Sequence, residues 1–285
     1  MKFLGRAGAF ALLLIAGLGL AHARGDAKRG EYLSKAAGCL GCHTDAREGA
    51  QPYAGGRAIK TPFGTFYGPN ITPHPDAGIG RWKEADLAGA LHLGVRPDGA
   101  HYFPAFPYSS FTKISDADVA DLWAYLRTLP PSSQPSRPHE IWFIFRWRLL
   151  LGAWKWLFFN PGRFVPDAKS PQLNRGAYLV QALGHCGECH TPRNFLGGPR
   201  RDRFLGGGKL ADGARAPNLT PTRLKKQSDG DLKDLLQTGV TPDGDALAES
   251  MAEVVRNTTS QLTAGDLSAV IAYLRSLAPL PDEPK

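Results

Sequence analysis

Methionine and cysteine are almost missing from this chain of 285 residues. Thioethers occur only at Met1 and Met251, and the four cysteines are confined to positions 39, 42, 186 and 189. Long apolar runs are lacking too: the stretch Ala7 to Leu20 falls short of the roughly 20 residues that a spanning helix needs. There is no Ser-His-Asp set, no phosphate-binding glycine loop and no paired-carboxylate arrangement, so nothing marks a site for hydrolysis or group transfer. Strand signals are weak throughout. No strand-helix-strand unit leads into either cysteine pair, which argues against redox thiols of the thioredoxin type.

What is present begins with a positive start at Lys2 and Arg6, the short apolar run, and the small-x-small site Ala21-His22-Ala23. That order predicts a secretory signal peptide over residues 1–23. Export places the mature chain in the periplasm, soluble or attached at the membrane surface. Without Lys2 and Arg6 the formal charge falls from +8 to +6. Much of the excess is carried by Arg193, Arg200, Arg201, Arg203, Lys209, Arg215, Arg223, Lys225 and Lys226. Such a field would speed encounter with an acidic protein surface, although a solvated basic face with no partner fits equally well. Nucleic acid does not suit an exported protein.

All four cysteines fall in two near-identical frames, Cys39-x-x-Cys42-His43 and Cys186-x-x-Cys189-His190. Exported cysteines ordinarily form disulfides, and paired Cys-x-x-Cys knuckles can also hold zinc. Here each pair carries its own histidine directly after the second cysteine. That arrangement attaches c-type haem, with two thioethers to the ring and an imidazole to the iron. Two covalently bound haem c groups are expected, with His43 and His190 as iron ligands.

The frames lie inside a longer repeat. Arg29-Gly30-Glu31-Tyr32-Leu33 answers Arg175-Gly176-Ala177-Tyr178-Leu179, and Pro69-Asn70-Ile71-Thr72-Pro73 answers Pro217-Asn218-Leu219-Thr220-Pro221. Pro97-Asp98-Gly99 pairs with Pro242-Asp243-Gly244, and Ala124-Tyr125-Leu126-Arg127 with Ala272-Tyr273-Leu274-Arg275. Apolar spacing predicts in each copy a helix before the first cysteine, a middle helix near 84–93 or 230–237, and a last helix near 116–128 or 263–276. Ser115 and Thr263 stand as N-caps with acid in the first turn. The expected fold is all-α: domain 1 over 24–130, a linker over 131–171 and domain 2 over 172–281.

These features resemble the class I cytochrome c fold. Through "GGRAIKTPFGTFYGPNITP", "PAFPY" and "GHCGECHTPRN", the mature chain is similar to two-haem cytochromes c related to the cytochrome subunits of membrane-bound alcohol and sugar-acid dehydrogenases. The resemblance implies two tandem domains, haem-ligand imidazoles steadied by the carbonyls of Pro69 and Pro217, and a methionine as the iron's other ligand. Met251 matches that methionine in the second domain. The offset of 145 between the Pro-Asp-Gly turns puts Phe106 at the same place in the first, so that haem lacks its methionine. His101 in the same loop, His74 or His92, or an open position remain for it, with His92 expected at the surface. His185 is read as a surface or haem-edge residue.

An electron relay follows, passing electrons between a periplasmic dehydrogenase or similar donor and a respiratory acceptor. The alternative is a haem enzyme, a peroxidase or sulfur-compound oxidoreductase, acting at the first haem. The join between the copies is rich in aromatics, with Trp142, Trp147, Trp154 and Trp156 interrupted by Arg146, Arg148 and Lys155. It reads as a linker packed across both domains with its aromatics buried between them. The other reading is an element over 141–159 that touches a membrane surface or partner.

Overall fold

Asp26 starts the first helix by accepting hydrogen bonds from the backbone N–H groups of Lys28 and Arg29, groups that a helical first turn leaves without partners. The structure, a computed structural model, describes residues 25–167, 170–210, 213–247 and 249–282, so the leader read over residues 1–23 lies outside the described residues. Helix α1 (Ala27–Ala36) ends before Gly38, whose left-handed backbone at φ +64° turns the chain into the short helix α2 (Cys39–His43). Strands β1 (Ala58–Thr61) and β2 (Gly64–Tyr67) follow as a hairpin. Helix α3 (Glu84–Ala88) runs on into a π-helical turn over Gly89–Leu93. Then come α4 (Tyr108–Phe111) and α5 (Asp116–Leu126), the latter capped by Ser115 through the Asp118 N–H.

The connection adds strand β3 (Glu140–Ile141) to β2 and then forms helix α6 (Arg148–Phe158). The C-terminal half repeats the first. Its helix α7 (Pro171–Tyr178) passes into a second π-helical turn over Leu179–Leu183, and α8 (Gly187–His190) holds the second frame. A two-stranded pair, β4 (Gly208–Lys209) with β5 (Arg215–Ala216), precedes α9 (Pro221–Leu224), α10 (Asp229–Thr238), α11 (Glu249–Asn257) and α12 (Ala264–Ser276). Thr263 caps α12 through the Asp266 N–H, as Ser115 caps α5.

In each half the first helix lies across the last, α1 on α5 and α7 on α12. The repeated glycines explain how. A Cβ on Gly30 would stand 1.9 Å from the Asp121 carbonyl oxygen, and one on Gly176 would stand 1.9 Å from that of Ala269. Only a hydrogen fits at either crossing. The repeated Pro-Asn-x-Thr-Pro turns act as clamps for the chain leaving the last helix. Asn70 accepts from the N–H and hydroxyl of Thr72 and donates to the carbonyls of Ser132 and Gln134. Asn218 accepts in the same way from Thr220 and donates to the Leu280 carbonyl and the Asp282 carboxylate.

The halves meet through a reciprocal contact. The Tyr178 hydroxyl donates to Asp118, and the Tyr32 hydroxyl donates to Asp266 at 2.5 Å. Arg29 pairs with Asp118, Arg175 with Asp266, each from the same half as its carboxylate. The N–H groups of Ser115 and Thr263 donate in turn to the two tyrosine hydroxyls. This is the self-complementary pattern of a two-fold interface within one chain. Buried apolar residues of both halves form one continuous cluster.

Three expectations need correction. The chain is largely helical but not wholly so, because β1, β2 and β3 form a three-stranded antiparallel sheet with Ala58 opposite Tyr67 and Gly64 opposite Ile141. His92 is not a surface residue: it lies on the π-helical turn and is 3% exposed, held between neighbouring elements. The connection does pack, with Ile141 and Leu151 buried against Phe66 and Phe103, and it reaches the C-terminal half where Trp154 donates to the Leu196 carbonyl. Its other tryptophans are not buried between the halves. Trp142, Trp147 and Trp156 are 66%, 67% and 84% exposed.

Candidate functional site

Both Cys-x-x-Cys-His frames are single helical turns, and both histidines are oriented alike. His43 Nδ1 lies 2.8 Å from the Pro69 carbonyl oxygen and His190 Nδ1 lies 2.7 Å from that of Pro217. A carbonyl only accepts, so each Nδ1 carries the proton and each Nε2 is left with its lone pair. Burial lowers both imidazole pKa values, against the smaller opposing pull of those carbonyls, and favours the neutral form that binds a metal.

None of the four cysteines is paired in a disulfide. Burial pushes Cys39 up to about 11 and Cys186 up to about 12, so both are protonated at neutral pH. Among the described residues no group of three or more His, Cys, Asp or Glu is placed to hold a metal ion, so the cage that zinc requires is not formed. Two cysteines outside any disulfide and a neutral imidazole that keeps its Nε2 lone pair, on one turn, fit a thioether-linked haem in each half.

The two frames are neighbours. Burial is the main cause that raises Cys42, and charge on Glu253 and on Cys189 raises it further while Arg57 opposes. Arg57 and Glu253 form an ion pair across the halves, and Glu253 and Asn257 of α11 lie against Gly41 in the first frame. Glu188, inside the second frame, accepts from Ser109 and Ser110 of the first half and pairs with Arg193. Burial works to raise Glu188, yet Arg193 and the two hydroxyls hold it below its ordinary value. None of these cross-contacts was legible in the sequence, where the partners lie far apart. His185 is not a plain surface residue either, since its ring packs on Phe111 of the first half.

Met251 is half-buried on α11. It shares a face with Val255, one turn on, which is buried beside Gly239 of the C-terminal half. Glu253 and Asn257, on the other side of the helix, face the first frame. Phe106, which stands where the repeat calls for a methionine, packs its ring on Tyr102, Tyr108 and Phe111. The His101 ring is engaged by α6: its Nδ1 lies 3.0 Å from Lys155 Nζ. That ammonium also donates to the Leu93 and Gly94 carbonyls, each at 2.7 Å, and burial lowers its pKa to about 8. His74 Nδ1 accepts from the N–H groups of Asp76 and Ala77, closing its own turn. Much of the basic cluster has internal partners: Arg193 pairs with Glu188, Arg200 with Asp202, and Arg201 and Arg203 donate to the carbonyls of Phe158 and Pro281.

Residues 27–130 match the family described as Cytochrome c. A protein of Cereibacter sphaeroides named "Diheme cytochrome c-type" is 48% identical over 88% of this chain and 86% of its own length. The "Fructose dehydrogenase cytochrome subunit" of Gluconobacter japonicus is 42% identical over 89% of this chain and 53% of its own. The cytochrome c subunit of a quinone alcohol dehydrogenase from Gluconobacter oxydans is 38% identical over 95% of this chain and 59% of its own. The chain thus spans between half and three-fifths of those two dehydrogenase subunits. With its repeated frames and these relatives together, the chain belongs to the cytochrome c family, on its two-haem branch, and carries two covalently bound haem c groups.

Proposed function

We propose that this chain is an exported relay, two tandem class I cytochrome c domains over 24–130 and 172–281, that passes electrons from a periplasmic dehydrogenase or similar donor to a respiratory acceptor. Haem bound in each half supplies one-electron chemistry at iron. The protein's part is to hold and tune it. Cys39 and Cys42 anchor the first group, Cys186 and Cys189 the second, and His43 and His190 each present Nε2 while Pro69 and Pro217 fix the ring through Nδ1–H. Met251 supplies the thioether in the second half. In the first half Phe106 cannot coordinate, and His101 serves only once it leaves Lys155.

The matched pair of carbonyl-oriented histidines carries this reading. The test is the mature protein itself: mass and alkaline spectrum should show two haem groups that survive denaturation, and a reduced periplasmic dehydrogenase should reduce both. A chain that matures without bound haem would end the proposal. The haem-enzyme alternative rests on Phe106 alone, and carbon monoxide discriminates: a prompt spectral shift of half the ferrous haem favours an open catalytic position, no shift the relay.

The contact surface of the relay is read at two places. The basic residues of the C-terminal half, Lys225 and Lys226 among them, suit an acidic partner, which a fall of the reduction rate with salt would test. The outward aromatics of 141–159, in a segment with no Asp or Glu, support attachment at a membrane surface. Flotation with anionic vesicles should then be lost when Trp142, Trp147 and Trp156 are replaced by serine.

A further inference from the structure

The two attachment frames begin at equivalent positions, Gly38 directly before Cys39 and His185 directly before Cys186. Both residues have left-handed backbone, Gly38 at φ +64° and His185 at φ +38°. Glycine adopts this region freely, whereas a residue with a side chain stays there only when its surroundings hold it. The surroundings of His185 come largely from the other half. A Cβ on Gly38 would stand 3.1 Å from Thr258 Oγ1 and 3.8 Å from His185 Nε2, and the ring stands edge-on to Phe111 with centroids 5.4 Å apart. The imidazole therefore stands, with Thr258, at the space that Gly38 leaves open, where the two equivalent turns face one another. A side chain at position 38 would crowd both Thr258 and the imidazole, and loss of the imidazole would loosen the packing between the frames.

We propose that His185 is a positioning residue that fixes the spacing of the two attachment frames and, with it, the coupling between the two redox centres. The proposal rests on the reading of both frames as haem-bearing. The ring neither gives up a proton nor takes an electron. It lies between Cys186, its chain neighbour, and the Gly38 turn that leads into Cys39. The asymmetry of the repeat here is functional: one imidazole at the meeting point, supplied by the second half, received by a glycine in the first.

Two variants of the full mature protein test it, His185→Gly, which gives both frames the same start, and His185→Gln, which keeps a side-chain donor. Haem content is measured first. The magnetic interaction between the two ferric irons is then read by low-temperature electron paramagnetic resonance, and electron equilibration between the halves by flash reduction. His185→Gly should retain two haems, weaken the magnetic interaction and slow equilibration, while His185→Gln should fall between it and the parent. A His185→Gly protein with two haems and both readouts unchanged overturns the proposal, whereas a parent chain without haem overturns the underlying reading instead. Should His185→Gly fail to mature, the parent protein decides by nuclear magnetic resonance: the His185 ring protons should be shifted by both irons and its N–H should exchange slowly. A ring in rapid exchange with solvent would sink the idea.

Discussion

Asp266 receives Arg175 from its own half and Tyr32 from the other, so one carboxylate steadies both a helix crossing and the contact between halves. Burial alone would raise its pKa, but the hydrogen bonds from Arg175 and Tyr32 outweigh it and hold the group below the ordinary carboxylate range. A depressed pKa in the folded state means that stability from this group is present above the unfolded value of about 3.9 and is lost as pH falls through the folded value. Asp266→Asn should therefore lower the thermal midpoint at pH 7, with the gap from the parent narrowing as pH falls below the ordinary carboxylate range. A gap that persists unchanged in acid would mean that the ionised form contributes nothing. Tyr32→Phe removes a single donor and should cost about 1–2 kcal/mol. Asp118 with Tyr178 and Arg29 forms the mirror of this site, and its tyrosine variant should behave alike.

Helices carry most of what the sequence made legible, because their signals are local. Ser115 and Thr263 cap as the Ser/Thr-x-x-Asp spacing implies, and the first, middle and last helices of each half fall where apolar residues recur at helical spacing. Other elements depend on partners distant in the chain. Strands β1 and β2 are only four residues each and lack clean alternation, so the pairing that makes them a sheet leaves no local trace. The connection is legible as aromatic, but which aromatics face inward depends on where Lys155 anchors α6.

That anchor gives a prediction at this scale. Burial sets the Lys155 pKa at about 8, below the unfolded value of about 10.4, so between these values the unfolded chain binds more protons than the folded one and stability rises with pH. The thermal midpoint of the parent relative to Lys155→Met should increase from pH 7.5 to pH 9.5; a constant or shrinking difference would show that the ammonium is not buried under α6. The helix crossings supply a sterner case. Gly176→Ala places a methyl 1.9 Å from the Ala269 carbonyl, so α7 and α12 cannot close as they do. Loss of folded, mature protein, or a destabilisation of about 3 kcal/mol or more, is expected, and a well-folded variant of parental thermal midpoint would contradict the close crossing.

At the scale of the whole molecule the repeat is a two-fold structure with deliberate inequalities. Glycines, caps, asparagine clamps and tyrosine–aspartate contacts are duplicated, whereas in the repeat Met251 answers Phe106, His185 answers Gly38, and Lys155 of the connection donates to carbonyls of the first half. The duplicated features build the scaffold, and the unequal ones distinguish one half from the other. With Met251 as the proposed ligand in one half and Phe106 at its equivalent in the other, the two centres should differ in potential, because a thioether favours ferrous iron more than an imidazole or an open position does. Redox titration of the mature protein should resolve two waves, the upper one belonging to the half that contains Met251. Met251→Leu, close in volume and half-buried on α11, should leave the fold and the lower wave in place, depress the upper wave and make that haem reactive toward carbon monoxide. Two centres of equal, high potential, or an upper wave indifferent to Met251→Leu, would show that the thioether does not set the difference and that electrons have no downhill step from the first half to the second.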